Sequence, residues 1–233
     1  MAVLRSILYT LVFYGLTVPI VLVSVPVSLF PRAFAGYVRW WTCFHEWCVR
    51  YLLGIRVKVE GRVPQGAVLI AAKHESAYET TALVNLLDRP VIVLKAELAR
   101  IPLWGAAARR YGMIPVDRKG STKALRAMMK AADRARDSGR PVVIFPEGTR
   151  VPHGEAPPVR AGFAGLYRHL GLPVVPVALD AGRLWPRGRL VKQPGLITLR
   201  FGDPIPAGLP RREVEGKVHR AINALNDPPS SVE

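Results

Sequence analysis

From Ser6 to Pro31 no charged side chain interrupts the run SILYTLVFYGLTVPIVLVSVPVSLFP. A helix of about 20 residues crosses the hydrocarbon core of a bilayer, so this run is long enough to span. Pro19 and Pro26 each remove a helix hydrogen bond and predict kinks, which favours a segment that dips into one leaflet and returns. The next stretch, AFAGYVRWWTCFHEWCVRYLLG, places Tyr37, Trp40, Trp41, Phe44, Trp47, Cys48 and Tyr51 at helical spacing, with Arg39, Glu46 and Arg50 between them. Aromatic rings and arginine stems suit the headgroup level. Residues 1–53 therefore read as a membrane-anchoring helix pair. Ala33-Phe34-Ala35 imitates a leader cleavage site, but the apolar run exceeds the roughly 7–15 residues of a signal h-region, so the segment is expected to be retained. Arg5 stands alone before the run, and Arg32, Arg39, Arg50, Arg56 and Lys58 follow it. That asymmetry assigns the rest of the chain to the cytoplasm.

Beyond residue 54 the pattern alternates. Short β-rich runs recur at 57–60, 67–72, 90–95, 112–116, 141–145, 173–179 and 196–201, with little polar alternation, as in strands buried on both faces. Helical stretches lie between them. The clearest is 121–137, with Ser121 as a candidate N-cap, an apolar face of Leu125, Met128, Met129 and Ala132, and Gly139 after its end. Residues 211–225 form another. The alternation predicts an α/β layered domain over 54–226, with a mixed, largely parallel sheet flanked by helices. The tail, 227–233, reads as frayed.

Composition narrows the function. The 233 residues are half apolar, with 33 Lys+Arg against 17 Asp+Glu and a net charge of +16. This excludes a disordered chain and, with one long uncharged run, a polytopic membrane protein. The positive excess points to polyanionic partners. Because the charge is scattered and accompanies an apolar anchor, anionic membrane lipids fit better than nucleic acid. Cys43 and Cys48 make neither a disulfide framework nor a four-ligand zinc site.

Candidate chemistry gathers at strand ends, where ligand sites of open α/β sheets lie. His74 follows the run AVLIAA and is spaced His-x-x-x-x-Glu from Glu79. Five positions apart, two residues of a regular helix point about 140° from each other. A direct pair therefore requires His74 to precede the helix and fold back over its first turn. A carboxylate on one ring nitrogen then fixes the tautomer and leaves the other as a base. The spacing alone is also at home around a structural histidine. A zinc reading fails, because Tyr78 stands where a second histidine would be needed. The run PVVIFPEGTR ends a buried strand in Glu147-Gly148-Thr149-Arg150, where Gly148 permits an unusual turn and Arg150 offers a fork suited to phosphate. Lys95 and Asp117-Arg118 follow two further strands. If these strands are parallel, all these groups share one rim of the sheet.

In order, KHESAYET (73–80), KAELARIPLWG (95–105), GMIPVDR (112–118), FPEGTR (145–150) and VPVALDAG (175–182) resemble the conserved blocks of the glycerolipid acyltransferase family. The resemblance implies transfer of a fatty acyl chain from an acyl thioester to the sn-2 hydroxyl of 1-acyl-sn-glycerol 3-phosphate, at the cytoplasmic face of a bacterial inner membrane. Sibling reactions on lyso-ornithine lipid or glycerol 3-phosphate, and a catalytically dead basic membrane-binding scaffold, are the competing readings. The family pattern makes His74 the general base and Glu79 its orienting carboxylate. It gives Lys95, Arg118, Glu147, Gly148, Thr149 and Arg150 to the phosphate-bearing acceptor, lysophosphatidic acid. It implies no metal and no cofactor, with acyl-CoA or acyl-carrier protein as co-substrate. Two positions depart from the family pattern: Glu79 replaces the usual Asp, and Asp180 replaces a common Asn.

Overall fold

All seven β-rich runs become strands: β1 (Ile55–Glu60), β2 (Leu69–Ala72), β3 (Val91–Lys95), β4 (Ile114–Val116), β5 (Val142–Ile144), β6 (Val174–Leu179) and β7 (Gly195–Phe201). They form one sheet in the order β1-β7-β6-β2-β5-β3-β4. The computed structural model describes residues 1–116 and 122–226, without the side chains of 122–125. Ser121, Arg118 and the tail 227–233 thus lie outside the described residues. Every neighbouring pair is parallel except β6 with β7. The sheet is therefore mixed and largely parallel, with β1 and β7 running against the other five.

The strand sequences explain this division. In β2, Leu69 and Ala71 join one core while Ile70 and Ala72 join the other, so a central strand reads as continuously apolar. β1 and β7 alternate instead, as in Val57-Lys58-Val59-Glu60 and Ile197-Thr198-Leu199-Arg200. This polar alternation, which the sequence reading passed over, marks the outer pair, which turns alternate side chains to solvent.

Helices cover both faces. Helices α6 (Thr122–Asp137), α7 (Ala161–Leu170) and α8 (Arg211–Ile222) pack Met128, Ala132, Phe163, Leu166, Val214 and Val218 against one side. Gly139, just past α6, has φ +70° and donates its N–H back to Arg136, the left-handed helix ending that glycine allows. On the other side lie α4 (Tyr78–Leu86) and α5 (Trp104–Tyr111).

The N-terminal run forms α1 (Ala2–Tyr9) and α2 (Gly15–Val27), joined by a π turn over Thr10–Tyr14, and α3 (Pro31–Cys48) returns alongside. The prolines do not set the reversal. Pro19 and Pro26 sit inside α2, and the chain turns at residues 28–30. Pro31 then occupies the first turn of α3, where its missing N–H costs nothing. Tyr37 Oη donates to the Ile20 carbonyl at 2.7 Å, and Trp41 Nε1 to Thr17 Oγ1 at 3.2 Å. The hairpin also shares a core with the sheet: Tyr9, Phe13 and Leu53 are buried with Tyr78, Leu179 and Leu199. His45 lies in this seam between Tyr9 Oη and Thr81 Oγ1, each at 3.0 Å.

Candidate active site

The carboxyl ends of β2, β3, β4, β5 and β6 fall on one rim, because these five strands are parallel. Lys73 continues β2, donating its backbone N–H to the Val177 carbonyl. His74 then leaves the sheet four residues before α4 begins. Glu79, in the first turn of that helix, reaches back, and its Oε1 lies 2.7 Å from His74 Nδ1. The same oxygen accepts the backbone N–H groups of Glu75 and Ser76, each at 2.8 Å, and Oε2 accepts the Ser76 hydroxyl at 2.9 Å. The unpaired N–H groups at a helix start favour a carboxylate there. Glutamate's extra methylene serves this reach, so its replacement of aspartate leaves the pair intact.

With the carboxylate accepting from Nδ1–H, the imidazole is held as the tautomer whose Nε2 carries the free lone pair. Among the described residues Nε2 has no hydrogen-bond partner. The ring stacks on Phe145, centroids 4.1 Å apart, and the side chain keeps 14% of its surface exposed. A base so placed is fixed in orientation and still reachable.

Phe145 brings the β5 loop beside the histidine. The backbone of His74 is held by this loop on both sides: its N–H donates to Glu147 Oε2 at 2.8 Å, and its carbonyl accepts from Val151 N–H at 2.8 Å. The Glu147 carboxylate is therefore not open to an acceptor. It is fully buried, paired with Lys73 Nζ at 2.9 Å, and sits beneath the histidine. Burial pushes its pKa up, and the Lys73 ammonium opposes that. Gly148 turns the chain at φ +68°, and a Cβ there would come within 2.7 Å of Arg160 Cδ. Arg160 Nε in turn donates to the Glu147 carbonyl at 2.9 Å. After this turn Thr149 and Arg150 are half-buried. Arg187 Nη1 donates to Thr149 Oγ1 at 3.3 Å and to the Arg150 carbonyl at 3.2 Å. Lys95 ends β3 on the same rim but is exposed and pairs with Glu97 at 3.1 Å. Asp180, after β6, accepts the Thr198 N–H at 2.7 Å and braces β7.

Sequence reasoning missed Lys73, Glu75, His153, Arg160, Gly182 and Arg187. Glu75 is buried, accepts the Gly182 N–H at 2.8 Å and lies 3.1 Å from His153 Nδ1. Burial pushes its pKa up to about 8 and lowers that of His153. A protonated Glu75 hydrogen-bonded to a neutral imidazole fits both shifts. The charges of Lys73 and Glu75 on either side of His74 were a local signal. Their partners, far along the chain, were not.

A carboxylate–imidazole pair whose free Nε2 meets no serine or cysteine among the described residues, with the Ser76 hydroxyl turned onto Glu79 instead, suits direct transfer to a hydroxyl. Residues 54–180 match the Acyltransferase family, and the chain belongs to that family; it is an O-acyltransferase. A 1-acyl-sn-glycerol-3-phosphate acyltransferase of Pseudomonas aeruginosa is 35% identical over 203 residues, covering 86% of this chain and 76% of that protein. One from Helicobacter pylori is 36% identical over 109 residues, 46% of each chain. The crystal structure of the 1-acyl-sn-glycerophosphate (LPA) acyltransferase PlsC from Thermotoga maritima superposes with a TM-score of 0.77 at 25% identity, over 99% of this chain and 100% of that one.

Proposed function

We propose that the chain transfers a fatty acyl group from an acyl thioester to the sn-2 hydroxyl of 1-acyl-sn-glycerol 3-phosphate, yielding phosphatidic acid for phospholipid synthesis. The observation that carries this reading is the 2.7 Å His74–Glu79 pair beside the FPEGTR loop. His74 Nε2 takes the hydroxyl proton as the oxygen attacks the thioester carbonyl. The resulting imidazolium is stabilised by Glu79. The tetrahedral oxyanion collapses, the C–S bond breaks, and the thiolate leaves; its thiol pKa is about 8.5, so it needs little help from the proton held on His74. No cofactor or metal enters. The donor is acyl-CoA or acyl-carrier protein.

Arg150, Thr149 and the Gly148 turn form the acceptor side, with Lys95 on the same rim and Arg118 as a further cation. Arg150→Lys keeps the charge but loses the bidentate fork. It should raise the apparent KM for the phosphate acceptor several-fold while leaving that for the donor within about twofold; equal effects on both would remove Arg150 from the acceptor site.

The hairpin docks the rim onto the cytoplasmic leaflet of the inner membrane. Helix Ala2–Val27 has a mean hydropathy of 2.1 over its most apolar 18-residue window. Leu4, Leu11, Val18, Leu29 and Phe30 are each more than 60% exposed. Tyr37, Trp40, Phe44, Trp47 and Tyr51 form a ladder along α3 and the π turn that follows it, with successive centroids 5.5–6.4 Å apart. Both ends of the long helix are tied to the catalytic domain, Ser6 by Lys192 N–H at 2.9 Å and Ser28 by Arg110 at 2.7 Å. Tethering at both ends supports a re-entrant hairpin over a full span. An acceptor drawn from the leaflet then avoids exposing its acyl chain, at about 0.8 kcal/mol per methylene.

Labelled acyl thioester, supplied with lysophosphatidic acid, glycerol 3-phosphate or lyso-ornithine lipid in separate reactions, tests the acceptor. Phosphatidic acid formed at least about tenfold faster than the other products supports the proposal. Preference for either alternative replaces it.

A further inference from the structure

We propose that Lys73 and Asn223 are positioning residues for the catalytic His74, acting through Glu147. The lysine side chain is fully buried, and an ammonium has three N–H donors to satisfy. Two are donated, to Asn223 Oδ1 at 2.6 Å and to the Glu155 carbonyl, and the ammonium is ion-paired with Glu147 Oε1 at 2.9 Å. The pairing fixes the Glu147 carboxylate, whose other oxygen holds the His74 N–H at 2.8 Å. The chain from helix α8 to the base is thus Asn223, Lys73, Glu147, His74, with every link a hydrogen bond or ion pair.

The orientation of Asn223 is determined. Its amide Nδ2 donates to the His219 carbonyl at 2.7 Å, so Oδ1 must face the lysine. Asn226 adds a second strut, donating to Asn223 Oδ1 and the Glu155 carbonyl, each at 3.1 Å. A buried cation with one partner removed pulls on those that remain. Loss of Asn223 would let the ammonium and the carboxylate shift together, and the His74 backbone with them. A displacement of about 1 Å at a reacting group can cost about a hundredfold in rate. Asn223, the C-cap of α8, lies outside the family match at 54–180, yet through this chain it reaches the base.

The competing reading is that Asn223 only caps α8 through His219, and that Lys73 only fills space. Asn223→Asp separates the two, because it keeps an oxygen for Lys73 and loses the amide N–H to His219. Wild type, Lys73→Met, Asn223→Ala and Asn223→Asp are compared in kcat, in KM for both substrates, in melting midpoint, and in hydrogen exchange of the His74 amide by NMR. The inference predicts kcat lower by about a hundredfold in Lys73→Met and about tenfold in Asn223→Ala, with both KM values within about twofold. It predicts kcat in Asn223→Asp within about threefold of wild type, and His74 amide protection lost in the first two variants and kept in the third. Equal kcat and equal protection in the two Asn223 variants overturn it, and so does normal kcat in Lys73→Met. Should Lys73→Met fail to fold, the Asn223 pair decides. The kinetic arm rests on the acyl-transfer reading, but the amide exchange does not. A wild type inactive on lysophosphatidic acid breaks that reading while the exchange still settles the positioning chain.

Discussion

The rim around His74 and the N-terminal hairpin solve opposite problems. At the rim, charged groups are buried and each finds its partner inside the protein: Glu79 accepts four donors, Lys73 donates to two acceptors and is ion-paired with Glu147, and Glu75 meets Gly182 and His153. In the hairpin, large apolar groups such as Leu11, Leu29 and Phe30 find no cover, while its polar groups Tyr9, His45 and Ser6 are the ones turned inward. A buried polar group is costly unless hydrogen-bonded, so the first region is rigid by construction. An apolar patch this extended needs an outside partner, and the proposal above gives it lipid. The shared core of Tyr9, Phe13 and Tyr78 binds the two. The hairpin is therefore a wall of the catalytic domain as well as its proposed anchor. Removing residues 1–53 would strip that core, which makes point changes on the exposed face the cleaner probe of docking.

The largest effect should follow from disturbing the rim. Glu79→Gln leaves a neutral acceptor on Nδ1 and withdraws the charge that supports the imidazolium, so kcat should fall by about a hundredfold. Glu79→Asp should keep part of the activity, at the expense of the reach to the Glu75 and Ser76 N–H groups. Equal activity of Glu79→Gln and wild type in a thioester-release assay would separate the carboxylate from catalysis.

On the hairpin, Leu29→Ser with Phe30→Ser removes two exposed apolar tips without touching the shared core. Full burial of such a side chain is worth about 1.5–3 kcal/mol, so vesicle partitioning should weaken by more than about tenfold in a flotation assay while the melting midpoint in detergent stays put. Unchanged partitioning would move the docking surface elsewhere.

The smallest effect belongs to Glu75. Its carboxyl ionises near its ordinary 4.5 in the unfolded chain and only near 8 in the folded one. Burial raises this pKa most, the nearby Glu79 and Asp180 carboxylates add to that, and the Gly182 N–H and Lys73 oppose it without overcoming it, while His153 Nδ1 lies 3.1 Å away. Between those pH values the folded state holds the extra proton, so stability is fully present below about 4.5 and declines as pH rises through about 8. Glu75→Gln keeps the acceptor for Gly182 and removes the titration. The wild-type melting midpoint should drop by several degrees from pH 5 to pH 9, and the variant's curve should be flatter. Parallel curves would assign the pH dependence to other groups.

Much of this architecture is legible in the residues. The strands follow from β-branched runs, and a histidine five positions before a helical glutamate pairs with it only if it precedes the helix, as His74 does. Helix α7 was open to the same reading, since Phe163, Leu166, Tyr167 and Leu170 keep a buried face, but Gly162 and Gly165 obscure it. The side of a loop that faces inward was not legible. Glu147 and Arg150 sit in one motif, yet Glu147 lies fully buried beneath His74 while Arg150 is half-buried past the Gly148 turn. The helix pair of the hairpin was legible, but the cause of its reversal was not: proline's local meaning is a kink, whereas α2 stays helical through Pro19 and the chain turns at residues 28–30. Long-range partners were beyond reach altogether. Glu75 meets Gly182 across 107 residues and Lys73 meets Asn223 across 150, and no local pattern encodes such pairings.

The central claim is that the His74–Glu79 pair removes the acceptor proton. It is tested most directly by turnover of lysophosphatidic acid with labelled acyl thioester in vesicles, comparing wild type with His74→Ala. Equal melting midpoints would establish that both are folded. The account predicts a loss of at least about a hundredfold in kcat, the scale of a general base, with vesicle binding unchanged. A folded His74→Ala protein that acylates at a near-normal rate would contradict it.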